Sequence, residues 1–254
     1  MLCNHTADYL LDKKVKIFQP VNGYRASSDA VLLSAAIPES FKKGKIKILD
    51  VGAGTGAISL CLAARLADTA CIHGIEIQPE LAELANYSAQ QNGFNNLSFI
   101  TADIRAKLPE NTLSPCSFDI VVSNPPYSEH DMPSPNQSKA TAHNHQNFGL
   151  TEWLNFCLKM CKPFGYIYMV NRAESLPQIC TSLQNKAGGI TVLPIYSKQG
   201  QNAKRIILRA QKDSKAPCVF LPPFYVHQND GQYSDLAQKI LRQGLSFGNL
   251  GLSI

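Results

Sequence analysis

The sequence predicts an α/β fold: a mostly parallel sheet of seven strands, ending in an antiparallel hairpin and flanked by helices. Three observations carry that expectation. Short β-rich runs alternate with helical stretches through most of the chain, which is the pattern of successive strand–helix–strand units. The strands are apolar almost throughout, with no solvent side, as expected of a sheet covered on both faces. A glycine turn joins the first of these strands directly to a helix.

In order, Ser27-Ser28-Asp29 followed by AVLLSAAI and closed by Pro38 reads as a short helix with a polar cap at its start. Lys45 to Val51 is a strand, Gly52 to Gly56 a turn, and Ala57 to Leu66 an apolar helix. The rhythm repeats with a strand over 71–77, a helix around 80–92, and strands over 96–100 and 118–123. The polar, Pro-bearing stretch Ser128 to Asn147 has no periodicity, and a loop of that length in a compact domain suggests a lid or binding element. There follow a helix near 150–161, a strand over 166–170, a helix near 174–187, and strands over 190–196 and 203–210. The linker SKQGQN between the last two strands has the length of a hairpin loop, so that pair is expected to be antiparallel. Then come a surface turn region, VFLPPFYVHQNDG, and a short helix near 233–243. Two units are expected: an N-terminal segment 1–44 whose short helix covers the ligand site, and a catalytic domain 45–254.

With 254 residues, 44% of them hydrophobic and 17% charged, the chain can bury a substantial core, and neither disorder nor a collagen-like repeat fits. The 24 Lys and Arg against 19 Asp and Glu leave a charge of +5, compatible with an anionic partner. The eight cysteines include no CxxC pair, so paired-thiol metal and redox sites lack their spacing; Cys157 and Cys161, in an apolar pattern, are expected to be buried. His143 and His145 have no acidic cluster near them, and no metal site is predicted. The sequence has no apolar run of membrane-spanning length and no greasy N-terminal leader, which points to a cytoplasmic protein without a membrane partner.

The run DVGAGTG at 50–56 has glycines where a sharp turn and close ligand approach would exclude a Cβ. Glu76 ends the next strand, where a carboxylate can accept both hydroxyls of a ribose, and Asp103 after the third strand could accept from an adenine amino group. A purely structural turn and a nucleotide-type cofactor remain about equally matched on the glycines alone, and GxGxG departs from the nicotinamide fingerprint GxGxxG.

The sharpest feature is Asn124-Pro125-Pro126-Tyr127, immediately after the fourth strand, at the sheet edge where open α/β folds bind ligands. Two prolines fix φ and remove two donors, leaving carbonyls to accept from a planar amino group. Asn124 adds a side-chain acceptor, and Tyr127 offers a ring for a flat base to stack on. Accepted hydrogen bonds favour the pyramidal, lone-pair-available form of such a nitrogen, so they stabilise the transition state preferentially.

DVGAGTG, Glu76, Asp103 and NPPY together resemble the class I S-adenosylmethionine-dependent methyltransferases, with their Rossmann-like fold, and in particular the branch that methylates amino nitrogens. QPVNGYRASSDAVLLSAAIP at 19–38 and DGQYSDLAQKIL at 230–241 resemble the bacterial tRNA(Val) adenine-N6 methyltransferases. The resemblance implies that Asp50, Gly52, Ala53, Gly54, Thr55 and Gly56 hold the methionine part of S-adenosylmethionine. Glu76 with Ile77 then takes the ribose, and Asp103 with Ile104 the adenine. Asn124 and the Pro125 carbonyl orient the target N6, with Pro126 shaping the turn and Tyr127 stacking. Tyr24, Arg25 and Asp29 close over the cofactor or brace its loop. The implied partner is tRNA, with no obligate protein partner, and Lys139, His143, Lys198, Lys204 and Arg205 are available for phosphates. Methyl transfer from a sulfonium needs no metal. The alternatives are a protein glutamine-N5 methyltransferase or another RNA or DNA amino-methyltransferase on the same motif, a nicotinamide oxidoreductase, and a non-catalytic RNA-binding module.

Overall fold

In the computed structural model, which describes residues 2–22, 25–39, 45–106, 108, 113–126, 148–251 and 254, the chain begins with an antiparallel strand pair. Strands β1 (His5–Leu10) and β2 (Val15–Pro20) form this hairpin, and α1 (Ser28–Ala36) follows. The central units are β3 (Ile46–Val51), α2 (Ala57–Leu66), β4 (Ala70–Glu76), α3 (Pro79–Gln91), β5 (Leu97–Thr101) and β6 (Phe118–Ser123). After them come α4 (Leu150–Met160), β7 (Cys161–Arg172), α5 (Leu176–Leu183), β8 (Ala187–Tyr196) and β9 (Arg205–Lys212). Two short strands, β10 (Val219–Phe220) and β11 (Phe224–Tyr225), and the single-turn helix α6 (Asp235–Gln238) complete the described elements.

The main sheet runs β10-β8-β9-β7-β6-β3-β4-β5, with β11 also on β8. Strands β3 to β7 pair in parallel, and β9 is antiparallel to both β7 and β8. From β3 the chain builds outward on one side through β4 and β5, then crosses back to β6 on the other. The order therefore reverses between β3 and β6, where a crevice opens at the carboxyl ends of the strands. Register puts Val51 opposite Ser123, so the glycine turn after β3 and the proline turn after β6 leave the sheet side by side.

Each face of the sheet has its own apolar layer. Ile48, Leu60, Leu62 and Ile72 pack with α1 and α2 on one side, and Leu49, Val51, Leu154 and Met169 pack with α4 and α5 on the other. The apolar strands are buried on both faces because helices cover both, as a parallel sheet requires. Helix α1 starts as its residues dictate, with the Ser27 hydroxyl accepting from the Asp29 amide at 3.3 Å.

The structure departs from the sequence expectation at five places. The leading segment holds the β1–β2 hairpin besides the helix: β2 is buried on α3, where the Ser88 hydroxyl and Asn92 side chain accept from Phe18 and Lys16 amides at 2.9 Å each. The stretch expected as a surface turn supplies β10 and β11, so the sheet has nine strands rather than seven; Pro222 and Pro223 sit between these edge strands, where missing amide donors cost no ladder bond. The strand expected over 166–170 runs from Cys161 to Arg172, because an irregular register near Phe118 lets it continue past the end of α4. Helix α5 stops at Leu183, and β8 already begins at Ala187. The last helix keeps one α turn and continues as a π-helical turn over Lys239–Gln243 that closes at Gly244, φ +78°. Cys157 and Cys161 are both buried as expected, which pushes the Cys161 thiol up to about 12.

Candidate active site

The turn after β3 folds back on β4. The amides of Gly52 and Ala53 donate to the Ile75 carbonyl at 2.9 and 3.0 Å, and the Gly56 amide to Ala53 at 2.8 Å, which launches α2. Gly52 has φ +72°, and a Cβ there would lie 2.7 Å from Cζ2 of Trp153, so the position excludes any side chain twice over. Glu76, 5% exposed, is fixed by two backbone donors: Gly54 N reaches its Oε2 at 2.8 Å and Gln78 N its Oε1 at 3.0 Å. Each carboxylate oxygen retains acceptor capacity for a further donor.

Asp50 is fully buried beneath the turn, on the α2 side of β3. Ser59 donates to its Oδ2 at 2.7 Å, while Oδ1 has no partner among the described residues. Burial pushes its carboxyl up to about 7; the Ser59 hydrogen bond pulls the other way, and the nearby Glu76 charge adds to the rise. Thr55 Oγ1 and Asn124 Oδ1 are likewise buried and unpartnered. Two orphaned polar atoms on the wall of one crevice, with a third beneath it, are uncommon in a folded protein, where such groups are nearly always paired.

Thr55, Glu76 and Asn124 border a single cavity of about 470 Å³ at the carboxyl edge, and Asp50 lies buried beneath its glycine-turn wall. One wall is the glycine turn from Gly52 to Thr55; Glu76, Ile77 and Gln78 form a second, and Ala102 to Arg105 a third. Asn124, Pro125 and Pro126 close the side opposite the glycines, with Phe148 and Trp153 beside them. The turns that the sequence separates by some 70 residues thus share one space. Trp153, the only tryptophan of the chain, donates its indole N–H to Ser123 Oγ at 2.9 Å, and that hydroxyl donates to the Val51 carbonyl at 2.7 Å.

Several expected residues take other positions. Asp103 borders the cavity, but its carboxylate is gripped by Arg105, whose Nε reaches Oδ1 at 2.8 Å and whose Nη2 reaches Oδ2 at 2.8 Å. An acceptor expected to serve an adenine amino group is therefore already charge-paired, because Arg105 follows two residues on in the same turn. The leading segment lines the cavity with Ala26 and Ala30, not with Arg25 or Asp29. Arg25 turns away to the carboxylate of Asp8 in β1, and Asp29 accepts from Arg205 Nε at 3.1 Å. Arg205 is thereby committed to bracing α1 against β9. Lys198 and Lys204 lie in the β8–β9 connection at the carboxyl edge. Tyr24, Tyr127, Lys139 and His143 lie outside the described residues.

Sequence reasoning missed Ser59, Arg105, Ser123, Phe148 and Trp153. The one available signal was the lone tryptophan on a helix rich in apolar residues, since a buried indole needs an acceptor.

A doubly wound sheet with a glycine turn, a ribose-type carboxylate on the next strand and an Asn-Pro-Pro turn across the crevice defines a class I S-adenosylmethionine-dependent methyltransferase. The fit to that cofactor rests on the cavity itself: a glycine-turn wall where a Cβ on Gly52 would strike Trp153, the Glu76 carboxylate, and buried unpartnered oxygens on Thr55 and Asn124. A family model described as a methyltransferase domain matches residues 42–211, and the chain belongs to that family. Among curated relatives, tRNA1(Val) (adenine(37)-N6)-methyltransferases from Dyadobacter fermentans and Pedobacter heparinus are 25% and 28% identical to it. These alignments cover 74% and 91% of this chain, and 78% and 94% of those proteins. The namesake from Porphyromonas gingivalis is 31% identical over 66% of each chain. Among solved structures, a "predicted O-methyltransferase" from Agrobacterium tumefaciens shares the fold with a TM-score of 0.70 and 22% identity, over 86% of this chain and 97% of that one.

Proposed function

We propose that the enzyme transfers a methyl group from S-adenosylmethionine to the exocyclic N6 of an adenine in the anticodon loop of tRNA(Val). The observation that carries this reading is the Asn124 side chain: its Oδ1 is buried with no partner among the described residues, in the same cavity as the glycine turn. An oxygen desolvated in that way awaits a donor, and a flat amino group supplies one. The names of the curated relatives support tRNA as the carrier of that amino group.

The cofactor supplies a methyl group activated by a sulfonium charge. Thr55 on the cavity wall, with Asp50 beneath the same turn, would hold its amino-acid end, and Glu76, already immobilised by the Gly54 and Gln78 amides, would accept from the ribose hydroxyls. Across the crevice, Asn124 Oδ1 and the Pro125 carbonyl accept the two N6 hydrogens. This draws the nitrogen out of conjugation and stabilises the positive charge that would develop on it as the N–C bond forms and the C–S bond breaks, after which the surplus N6 proton leaves to solvent. Pro126 keeps the turn rigid, and Tyr127 receives the face of the base. The target adenine must leave its stack to enter, which a loop nucleotide does at small cost. The segment 1–44 covers the site and 45–254 is the catalytic unit. Lys198, Lys204, Lys139 and His143 are offered to phosphates, the enzyme works without an obligate protein partner, and it acts in the cytoplasm. Among the described residues no helix is long and apolar enough to cross a membrane.

The test is methylation of unmodified total tRNA with labelled S-adenosylmethionine, followed by mapping of the modified nucleoside. Label in N6-methyladenosine within tRNA(Val) is expected, and Asn124→Ala should abolish it while leaving cofactor affinity in place. Label appearing in a protein glutamine instead, with none in tRNA, overturns the reading.

A further inference from the structure

The hairpin, the start of α1 and the C-terminal segment all lie outside the strand–helix units, and they converge at one place. Lys14 Nζ donates to the Gln243 carbonyl at 2.7 Å, and the Phe247 amide to Ala35 in α1 at 2.9 Å. At the start of α1 a second cavity of about 350 Å³ is bordered among others by Tyr9, Asp12, Lys13, Tyr233 and Arg242. Ala26 borders this cavity and the first one, so the two are neighbours across the start of α1.

Resting on the function proposed above, we propose that this second cavity receives a nucleotide of the same RNA adjacent to the target adenine, its base on the tyrosines and its phosphate on Lys13 and Arg242. Five features converge on that ligand. Tyr9 borders the cavity and leaves 54% of its surface exposed, so its ring is open to a flat partner. Tyr233 is held in place by a stacked His227 at 5.2 Å between centroids, across the His227–Tyr233 bridge. Of the seven arginines, Arg242 alone neither pairs with a carboxylate nor donates a side-chain hydrogen bond among the described residues; its guanidinium rests 6.0 Å from the Tyr233 ring centre. Lys198 reaches the same loop, its Nζ 3.9 Å from where a Cβ on Gly231 would stand, so cations flank the aromatic pair on more than one side. Lys13 is presented by three successive non-glycine residues with positive φ, Leu11, Asp12 and Lys13, at +50°, +53° and +69°. Such a run persists only where its surroundings dictate it. Two cations against the single carboxylate of Asp12 leave the lining net positive, and aromatic faces among cations are the chemistry of a nucleotide strung on its backbone.

The test compares Lys13→Glu, Arg242→Glu, their double variant and Tyr9→Ala with Lys215→Glu, which makes the same charge change as either single reversal at an exposed residue beyond β9, at the opposite sheet edge. Binding of labelled tRNA and the KM for tRNA are measured over a range of salt, and cofactor affinity is measured by calorimetry without RNA. The double variant should raise the KM for tRNA about tenfold or more and flatten the salt dependence of binding by roughly 0.7–1 per cation removed. Tyr9→Ala should weaken tRNA binding severalfold without changing that slope, and Lys215→Glu should change neither. Cofactor affinity should hold throughout. A double variant that binds tRNA like Lys215→Glu, or one that loses cofactor affinity in step with tRNA affinity, overturns the inference alone. Wild-type enzyme that methylates no tRNA overturns the function and this inference with it.

Discussion

Trp153 and Ser123 are joined by a buried hydrogen bond of 2.9 Å, and Ser123 passes the link to the Val51 carbonyl at 2.7 Å. Ser123 immediately precedes Asn124, and Val51 immediately precedes Gly52. The chain of two bonds therefore clamps the two turns that face each other across the crevice, and with them the separation of acceptor nitrogen and methyl donor. Misplacement of about 1 Å can cost roughly a hundredfold in rate.

Ser123→Ala should lower kcat about tenfold or more with cofactor affinity little changed, because it loosens the turns relative to each other without removing a cofactor contact. It also strands the indole N–H, at a cost of about 1–3 kcal/mol. Ser123→Thr, which keeps the hydroxyl, should restore most of the rate. Separate determination of kcat and of cofactor affinity checks this, and loss in both by one factor speaks for general damage. Trp153 fluorescence, from the one indole of the chain, reports cofactor entry directly.

Asp50 sets a pH dependence. Its carboxyl stands at about 7 in the fold against 3.8 for the unburied group, so the folded state holds the proton more tightly than the unfolded one. The associated stability is fully present below pH 4 and is lost as pH rises through 7. Thermal melting of the cofactor-free enzyme should show this component falling across that window, and Asp50→Asn should remove it. A cofactor ammonium group placed on Asp50 favours the ionised form, so binding below pH 7 should release a proton. Calorimetry in buffers of different ionisation enthalpy measures it.

Glu76→Gln should weaken cofactor binding about ten- to a hundredfold, more than Asp103→Asn does. The new amide presents an N–H to the Gly54 or Gln78 amide in place of an acceptor, which disorders the glycine turn as well as the ribose contact. Both oxygens of Asp103 are already paired with Arg105, so Arg105→Ala should shift cofactor affinity only severalfold. Titration calorimetry of the three variants gives the order.

Arg65 reaches from α2 under the end of α1, its side chain 4% exposed, and donates to the carbonyls of Ser34 and Ile37 and to Glu39. Arg65→Met should cost about 2–4 kcal/mol, since it leaves buried carbonyls unsatisfied and Glu39 unpaired. At roughly 2–4 °C per kcal/mol for a chain of this size, the melting temperature should drop by about 5–15 °C. Cofactor affinity per folded molecule should change little.

The strands β3 to β9 were legible because each is apolar and bounded by turn residues, and the hairpin of β8 and β9 followed from its short linker. Strand β1 was not, because HTADYL is a two-stranded edge whose residues are mostly exposed and carry no alternation. Strands β10 and β11 are two residues each and owe their pairing to β8, not to any local preference. In the site, the glycine turn, Glu76 and the Asn-Pro-Pro turn could be read directly, since each is a run of residues with its own chemistry. Trp153, Ser59 and Ser123 could not, because a serine or a tryptophan has no meaning until something stands opposite it.

The order of elements, the two turns and the chemistry each could offer follow from local residue types, because strand pattern, glycine conformation and proline donors are properties of short stretches of chain. Which carboxylates stay available was settled by folding: Glu76 met two amides, Asp103 met Arg105, and Asp50 met Ser59 and no solvent. The reason is that acceptor capacity and ionisation depend on the atoms within a few ångströms, and the packing of the sheet and its helices chooses those neighbours.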